Sequence, residues 1–212
     1  QRWFTLAQAL REESQRASEP ERVVSLGPAV GASTFLRALA EPEEVARDLL
    51  RPMPRKPSAA ARRGTAWHAW VEARYGQQSL LDPDDLPGAA DESIISDEQL
   101  ARLKEAFELT AYANLAPVAV EQPFSLMVGG RLVHGRIDAV FESAGYFDVI
   151  DWKTGGTEHL DPRQLAIYRL AWARIAGVAW EDVRAGFVMV SSGEIIRPDT
   201  DGDIQVFLAS DS

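Results

Sequence analysis

The 212-residue chain has no cysteine. That absence excludes disulfides, cysteine-ligated zinc and iron–sulfur clusters, and it fits a reducing, cytoplasmic compartment. No run of apolar residues is long enough to span a bilayer, so no membrane partner is expected. No G-x-x-x-x-G-K-[ST] string occurs, so a nucleotide-driven motor is not encoded in this stretch. Bases are in the minority, with 22 Lys and Arg against 32 Asp and Glu for a net charge of −10. Taken alone, that balance argues against a nucleic-acid partner. Internal repeats, low-complexity tracts and a visible signal peptide are also missing. The chain opens at Gln1, and Arg2-Trp3-Phe4-Thr5-Leu6-Ala7 reads like the middle of a helix, as in a piece excised from something larger.

The charges that are present are unevenly spread. Arg51, Arg55, Lys56, Arg62 and Arg63 lie within 51–63 with no acid among them, whereas 82–98 carries acids and no base. The basic strip is either a solvated proline-rich connector, which composition alone favours, or a track for a phosphate backbone.

At 46% hydrophobic, the chain can bury a substantial core. The first half reads as helices: 1–17, then Ser33 or Thr34 to Leu50 with a break allowed at Pro42, then Ala61 to Tyr75 and Asp97 to Asn114. The last of these offers Leu100, Leu103, Phe107 and Leu109 to a core. After Pro117 the pattern changes to strands. Val118–Val128 and Arg131–Glu142 are joined by a Gly129-Gly130 turn, and Tyr146–Lys153 follows. Asp161-Pro162 starts a helix that stops at Gly177. Strands at Arg184–Val190 and Glu194–Arg197 follow. Hairpin strands, a helix and a further strand predict a mixed α/β layer fold with one βαβ crossover.

Within these strands lie Gly135-Arg136-Ile137-Asp138 and Asp151-Trp152-Lys153. Asp151 and Lys153 share a face because strand alternation has period 2. If Ala144-Gly145 is a two-residue turn, Ser143 pairs with Tyr146 and Asp138 falls opposite Asp151. Their Cβ atoms are then roughly 4.5–5.5 Å apart. Carboxylates that close repel unless a cation lies between them, so the pattern asks for a divalent metal beside a lysine. A three-residue turn would put the acids on opposite faces unless a bulge compensated. Asp148, an odd number of residues from Asp151, faces away.

The string GRIDAVFESAGYFDVIDWKTGG, followed by Gln164-Leu165-Ala166-Ile167-Tyr168 and preceded by His68 on a helix, is similar to the RecB-type branch of the PD-(D/E)XK nucleases. The wording GTAWHAWVEARYG, DWKTG and QLAIYRLAWA resembles the C-terminal nuclease domain of actinobacterial AdnAB-type helicase–nuclease subunits. The resemblance implies a restriction-endonuclease-like α/β fold, with a central mixed sheet, antiparallel hairpins and flanking helices at 51–212, and a helical extension at 1–50. It implies a deoxyribonuclease that uses Mg²⁺ or Mn²⁺. The ion would be held by His68, Asp138, Asp151 and the backbone carbonyl of Trp152. Lys153 would assist hydrolysis, and the helix face shared by Gln164 and Tyr168 would position Lys153 or a phosphate. Arg62, Arg63 and Arg136 are the candidate DNA contacts. The implied partners are single-stranded DNA, a helicase motor and a partner helicase–nuclease subunit, at the nucleoid, in double-strand-break processing.

The residues leave other readings open. His68 lies between Trp67 and Trp70 and could be a packed or capping histidine. Gln164 could be solvated and Tyr168 plain core. Glu121 is either an acid supporting the metal ligands or a solvated strand residue, and His134 stacks in the sheet more readily than it contacts phosphate. At the level of the whole chain, the alternative is a non-enzymatic DNA-binding or bracing module of a helicase complex.

Overall fold

The computed structural model describes residues 2–17, 23–53, 58–75, 97–143, 145–157 and 160–210. The acidic loop at 82–96, Arg55 and Lys56 of the basic strip, Ala144 and His159 lie outside them. The helices are α1 (Arg2–Ala17), α2 (Ala32–Ala40), α3 (Pro42–Leu50), α4 (Ala59–Arg74), α5 (Asp97–Phe107), α6 (Pro162–Ala176) and α7 (Asp201–Ala209). The strands are β1 (Ala29–Gly31), β2 (Ala119–Val128), β3 (Arg131–Ser143), β4 (Tyr146–Lys153), β5 (Val183–Met189) and β6 (Glu194–Ile196). Together they form the expected mixed α/β architecture: one mixed sheet with helices on both faces.

Local chemistry sets the boundaries that matter. Gly129 and Gly130 both take positive φ, 58° and 69°, the backbone that a two-residue hairpin between twisted strands requires. Asp161 caps α6 by accepting from the Arg163 amide at 3.0 Å, Pro162 occupies the first turn, and Gly177 ends the helix in the left-handed region. The α5 helix stops at Phe107, short of the Asn114 read from sequence. The Thr110 hydroxyl and amide both take the Phe107 carbonyl, and Leu109 is turned to solvent instead of the core. β1, at three residues, and α7, at nine with Asp201 and Asp203 in its first turn, are too short to stand out in the sequence.

Strand β3 organises the sheet. β2 runs antiparallel along one edge of it. The other edge is shared: β4 pairs antiparallel with Ala139–Ser143 at one end, and β1 pairs parallel with Leu132–His134 at the other. Between those two partners the sheet forks. Beyond β4 the order continues to β5, parallel through the α6 crossover, and then to β6. Ser143 pairs with Tyr146, so the β3–β4 register is the one a two-residue turn dictates.

Two cores flank the sheet. Phe35, Leu165, Ile167, Leu170 and Phe207 pack one face through α2, α6 and α7; Trp67, Val71, Leu103 and Phe107 pack the other through α4 and α5. Side-chain parity switches within the hairpin. Val133 and Ile137 face the α6 side, yet Ala139 and Phe141, of the same parity, face α4; on β2, Phe124 and Leu126 face α6 while Val120 faces α4. No residue is inserted, because Val120↔Ala139 and Gln122↔Ile137 keep one count. The switch falls at Glu121, opposite Asp138, and Glu121 has φ 48°, the only positive φ outside glycine among the described residues. A non-glycine residue there carries roughly 1–3 kcal/mol of strain.

On the α4 face, Asp148 is structural, as its parity requires. Arg197 clasps it with two bonds of 2.7 and 2.8 Å, and the Tyr112 hydroxyl, which also takes a bond from Arg197, donates to it at 2.9 Å. Asp148→Ala strands Arg197 and Tyr112, so a loss of about 3 kcal/mol in urea unfolding is expected, against about 1 kcal/mol for Tyr112→Phe, which leaves the ion pair intact. Glu121→Gly, which releases the strain, is expected to unfold about 1 kcal/mol later than Glu121→Ala, which keeps it.

Candidate active site

The fork brings the two acidic strands together. One step beyond the Ala139↔Ile150 pair, Asp138 stands opposite Asp151. The ladder has opened here, and the Trp152 amide, with no backbone acceptor on β3, donates to Asp138 Oδ2 at 2.8 Å. Both carboxylates are buried, Asp151 with 2% of its surface exposed and Asp138 with 7%. The Trp152 ring goes the other way, edge-on to Phe107 and Tyr112 in the α4 core.

Each layer then adds one group of partners. From the α4 side, His68 Nδ1 meets Glu121 Oε1 at 2.8 Å and lies 3.9 Å from Asp138 Oδ1. From the α6 side, Gln164 uses its whole amide: Nε2 donates to Asp151 Oδ1 at 2.7 Å and to the Tyr168 hydroxyl at 3.0 Å, while Oε1 accepts from Lys153 Nζ at 3.2 Å. A flipped amide would set oxygen against carboxylate and nitrogen against ammonium, so the partners fix its orientation. Lys153 completes the loop with an ion pair to Asp151 Oδ2 at 2.8 Å.

Charge is unevenly balanced in this space. Burial opposes the charge on His68, but Asp138, Glu121 and Asp151 outweigh it and raise its pKa to about 9. Burial pushes Asp138 up to about 7, with Asp151 and Glu121 adding to it and His68 and the Trp152 amide opposing. Burial raises Asp151 too, against the pull of Lys153. Three carboxylates thus share two nearby cations, and Asp138 and Asp151 hold protons more tightly than usual.

The donor set fits a divalent ion. Ligand atoms of His68, Glu121 and Asp138 lie within 4.8 Å of one another. Imidazole with two carboxylates is a mixed nitrogen–oxygen set, suited to first-row ions as well as to Mg²⁺. Asp151 adjoins this set but is held by Lys153 and Gln164.

The structure therefore gathers His68, Asp138, Asp151, Lys153, Gln164 and Tyr168 at one place, and it brings Glu121 in with the ligand group instead of leaving it solvated. Counting outward from Gly129-Gly130, as from the other turn, sets Glu121 opposite Asp138; its inward aim depends on the positive φ, which no sequence signal carries. A cleft of about 1080 Å³ opens from the site, lined by His134, Arg136 and Arg163 among others. Arg136 Nη1 is 3.9 Å from Glu121 Oε2. Arg62 and Arg63 are on α4, one to two turns before His68, and do not line this cleft.

Residues 36–204 match the profile of the PD-(D/E)XK nuclease superfamily. No curated protein matches the chain. Among solved structures, a candidate exonuclease from Eubacterium rectale is 12% identical and superposes with a TM-score of 0.53, covering 86% of this chain and 76% of that one. At that identity the likeness speaks for the fold alone. The protein SSO0001, 16% identical over 98% of this chain and 83% of that one, has a TM-score of 0.38, too loose to weigh. The profile match covers most of the chain and takes in both acidic strands and the helices bearing His68, Gln164 and Tyr168. The chain belongs to the PD-(D/E)XK nuclease superfamily.

Proposed function

We propose that this chain is a metal-dependent deoxyribonuclease of RecB type that hydrolyses phosphodiester bonds in single-stranded DNA. The observation that carries the reading is the convergence of Asp138, Asp151 and Lys153 on one face of a forked sheet, with His68 and Glu121 closing the acidic end. In this reading residues 51–212 are the nuclease domain and 1–50 a helical extension. The domain serves an AdnAB-type helicase–nuclease subunit, beside a partner subunit, in double-strand-break processing at the nucleoid. Among the described residues no helix is long and apolar enough to cross a membrane.

His68, Glu121 and Asp138, with Asp151 and the Trp152 carbonyl alongside, would hold Mg²⁺ or Mn²⁺. Bound there, the ion would supply Lewis-acid polarisation of the phosphate and a lowered pKa for the attacking water. The chain's own groups do the rest. Lys153 presents an ammonium, steadied by Gln164 and Asp151, to the phosphoryl oxygens or the attacking water. Arg136, half-exposed at the cleft wall, offers a guanidinium to the neighbouring phosphate. Arg62 and Arg63 extend the basic surface along α4. The cleft of about 1080 Å³ exceeds the usual small-ligand pocket of roughly 300 to 1,000 Å³, room for a short stretch of one strand.

The deciding assay incubates the chain with labelled linear and circular single-stranded DNA in Mg²⁺ or Mn²⁺. Cleavage is expected from the wild type and none from Asp151→Ala, while Lys153→Ala lowers kcat by about 10²–10³-fold. DNA binding without cleavage in the wild type would leave a non-enzymatic binding or bracing module as the function.

Stability in EDTA tests the titrating cluster separately. The pKa values of His68 and Asp138 are raised from 6.5 and 3.8, so the native state keeps protons that the unfolded chain has released. The His68 contribution is full below about pH 6.5 and is lost as pH rises through about 9. The Asp138 contribution is lost earlier, between about 4 and about 7. The metal-free thermal midpoint is therefore expected to be ~5 °C higher at pH 6 than at pH 9, with a flatter profile in Asp138→Asn. Mn²⁺, competing with those protons, should raise the midpoint more at pH 9 than at pH 6.

A further inference from the structure

Gly135, first residue of the G-x-x-D string, has a φ outside the left-handed region, in contrast to the turn glycines 129, 130, 145, 177 and 193. Its lack of a side chain therefore answers a need for space. A Cβ placed on Gly135 would lie 3.0 Å from both Cε1 and Cζ of Phe124, and 3.4 Å from the Ala32 Cβ. Phe124 is the direct cross-strand partner of Gly135, and its buried ring lies over the bare glycine. The same ring meets the buried Tyr168 in an edge contact, with centroids 5.7 Å apart and planes at 72°. Tyr168 in turn receives a bond from the Gln164 amide, whose other two bonds go to Asp151 and Lys153.

We propose that Gly135 and Phe124 are positioning residues for the Gln164 amide. The glycine leaves the space that seats the Phe124 ring, and the ring fixes Tyr168, and through it Gln164, against Asp151 and Lys153. The effect on catalysis rests on the nuclease reading; the effect on Gln164 does not. A methyl on Gly135 displaces the ring that Tyr168 packs against, whereas leucine at 124 lacks the two crowded atoms and leaves a gap. The two changes together nearly conserve volume, and cores tolerate such exchanges best. Each single substitution should therefore disturb the site, and the double substitution should restore it.

The test is a double-mutant cycle of Gly135→Ala and Phe124→Leu, read in two ways. In the ¹H–¹⁵N spectrum of the full chain, with Gln164→Glu assigning the signal, the Gln164 side-chain amide is expected to be well resolved and slow to exchange in the wild type. Exchange should be about tenfold faster in either single variant and near the wild-type rate in the double. In single-strand cleavage, kcat should fall by roughly 10-fold or more in each single variant, with KM held within about twofold, and recover in the double. Phe124→Leu should cost little further on a Tyr168→Phe background. Effects that simply add in the double variant, or a Gln164 amide unmoved by either single change, would overturn the proposal. If Gly135→Ala does not fold, the comparison of Phe124→Leu with the double variant still decides: the double must be the more wild-type-like. If the wild type does not cut DNA, the nuclease reading falls and the amide exchange alone judges this one.

Discussion

The bond from the Trp152 amide to Asp138 Oδ2 holds the fork of the sheet together. A β-ladder that opens in a protein interior leaves backbone donors without acceptors, at about 1–3 kcal/mol for each one stranded. Here a carboxylate takes the place of the missing backbone partner. The same contact that makes the fork tolerable brings one acidic strand level with the other. β1 can then occupy the vacated edge of β3, α2 and α6 can line the space between, and a cleft results where a continuous sheet would have been solid.

Burying three carboxylates so close together is costly, and each has a specific partner that offsets the cost. Asp138 has the Trp152 amide, Asp151 has Lys153 and Gln164, and Glu121 has His68 with Arg136 farther off. Asp138 and Asp151 each take a neutral N–H as well as any cation, whereas Glu121 faces only His68 and Arg136. The raised pKa values of Asp138 and His68 record what is left over: a proton-binding excess at neutral pH that a divalent ion would relieve. The strain at Glu121 belongs to the same account. An extended backbone would keep strand parity and turn that side chain away from the site; the left-handed residue turns it inward at the point where both hairpin strands switch faces.

Much of this was legible in the sequence because two tight turns set the register. Gly129-Gly130 leaves little choice of pairing; the turn closed by Gly145 left two registers, and the observed Ser143–Tyr146 pair is the one in which counting sets Asp138 opposite Asp151. Asp161-Pro162 and Gly177 bracket α6 and so place Gln164 and Tyr168 one turn apart. What counting could not supply was anything set by tertiary contact. A glutamate has no propensity that announces a positive φ, so Glu121 read equally well as solvated. β1 is three residues long and is recruited by the free edge of β3 instead of by its own pattern. α5 looked longer than it is because an apolar residue, Leu109, kept helical spacing past the point where Thr110 closes the helix.

The origin of the site's side chains on opposite faces of the sheet has a consequence for biosynthesis. His68 arrives with α4 on one face, and Gln164 and Tyr168 arrive with α6 on the other, separated in the chain by both hairpins. A chain emerging from the ribosome, with α4 and both hairpins made and α6 still to come, has the acidic cluster and His68 but no Gln164 amide to steady the lysine. The complete constellation therefore exists only once both cores have formed around the sheet.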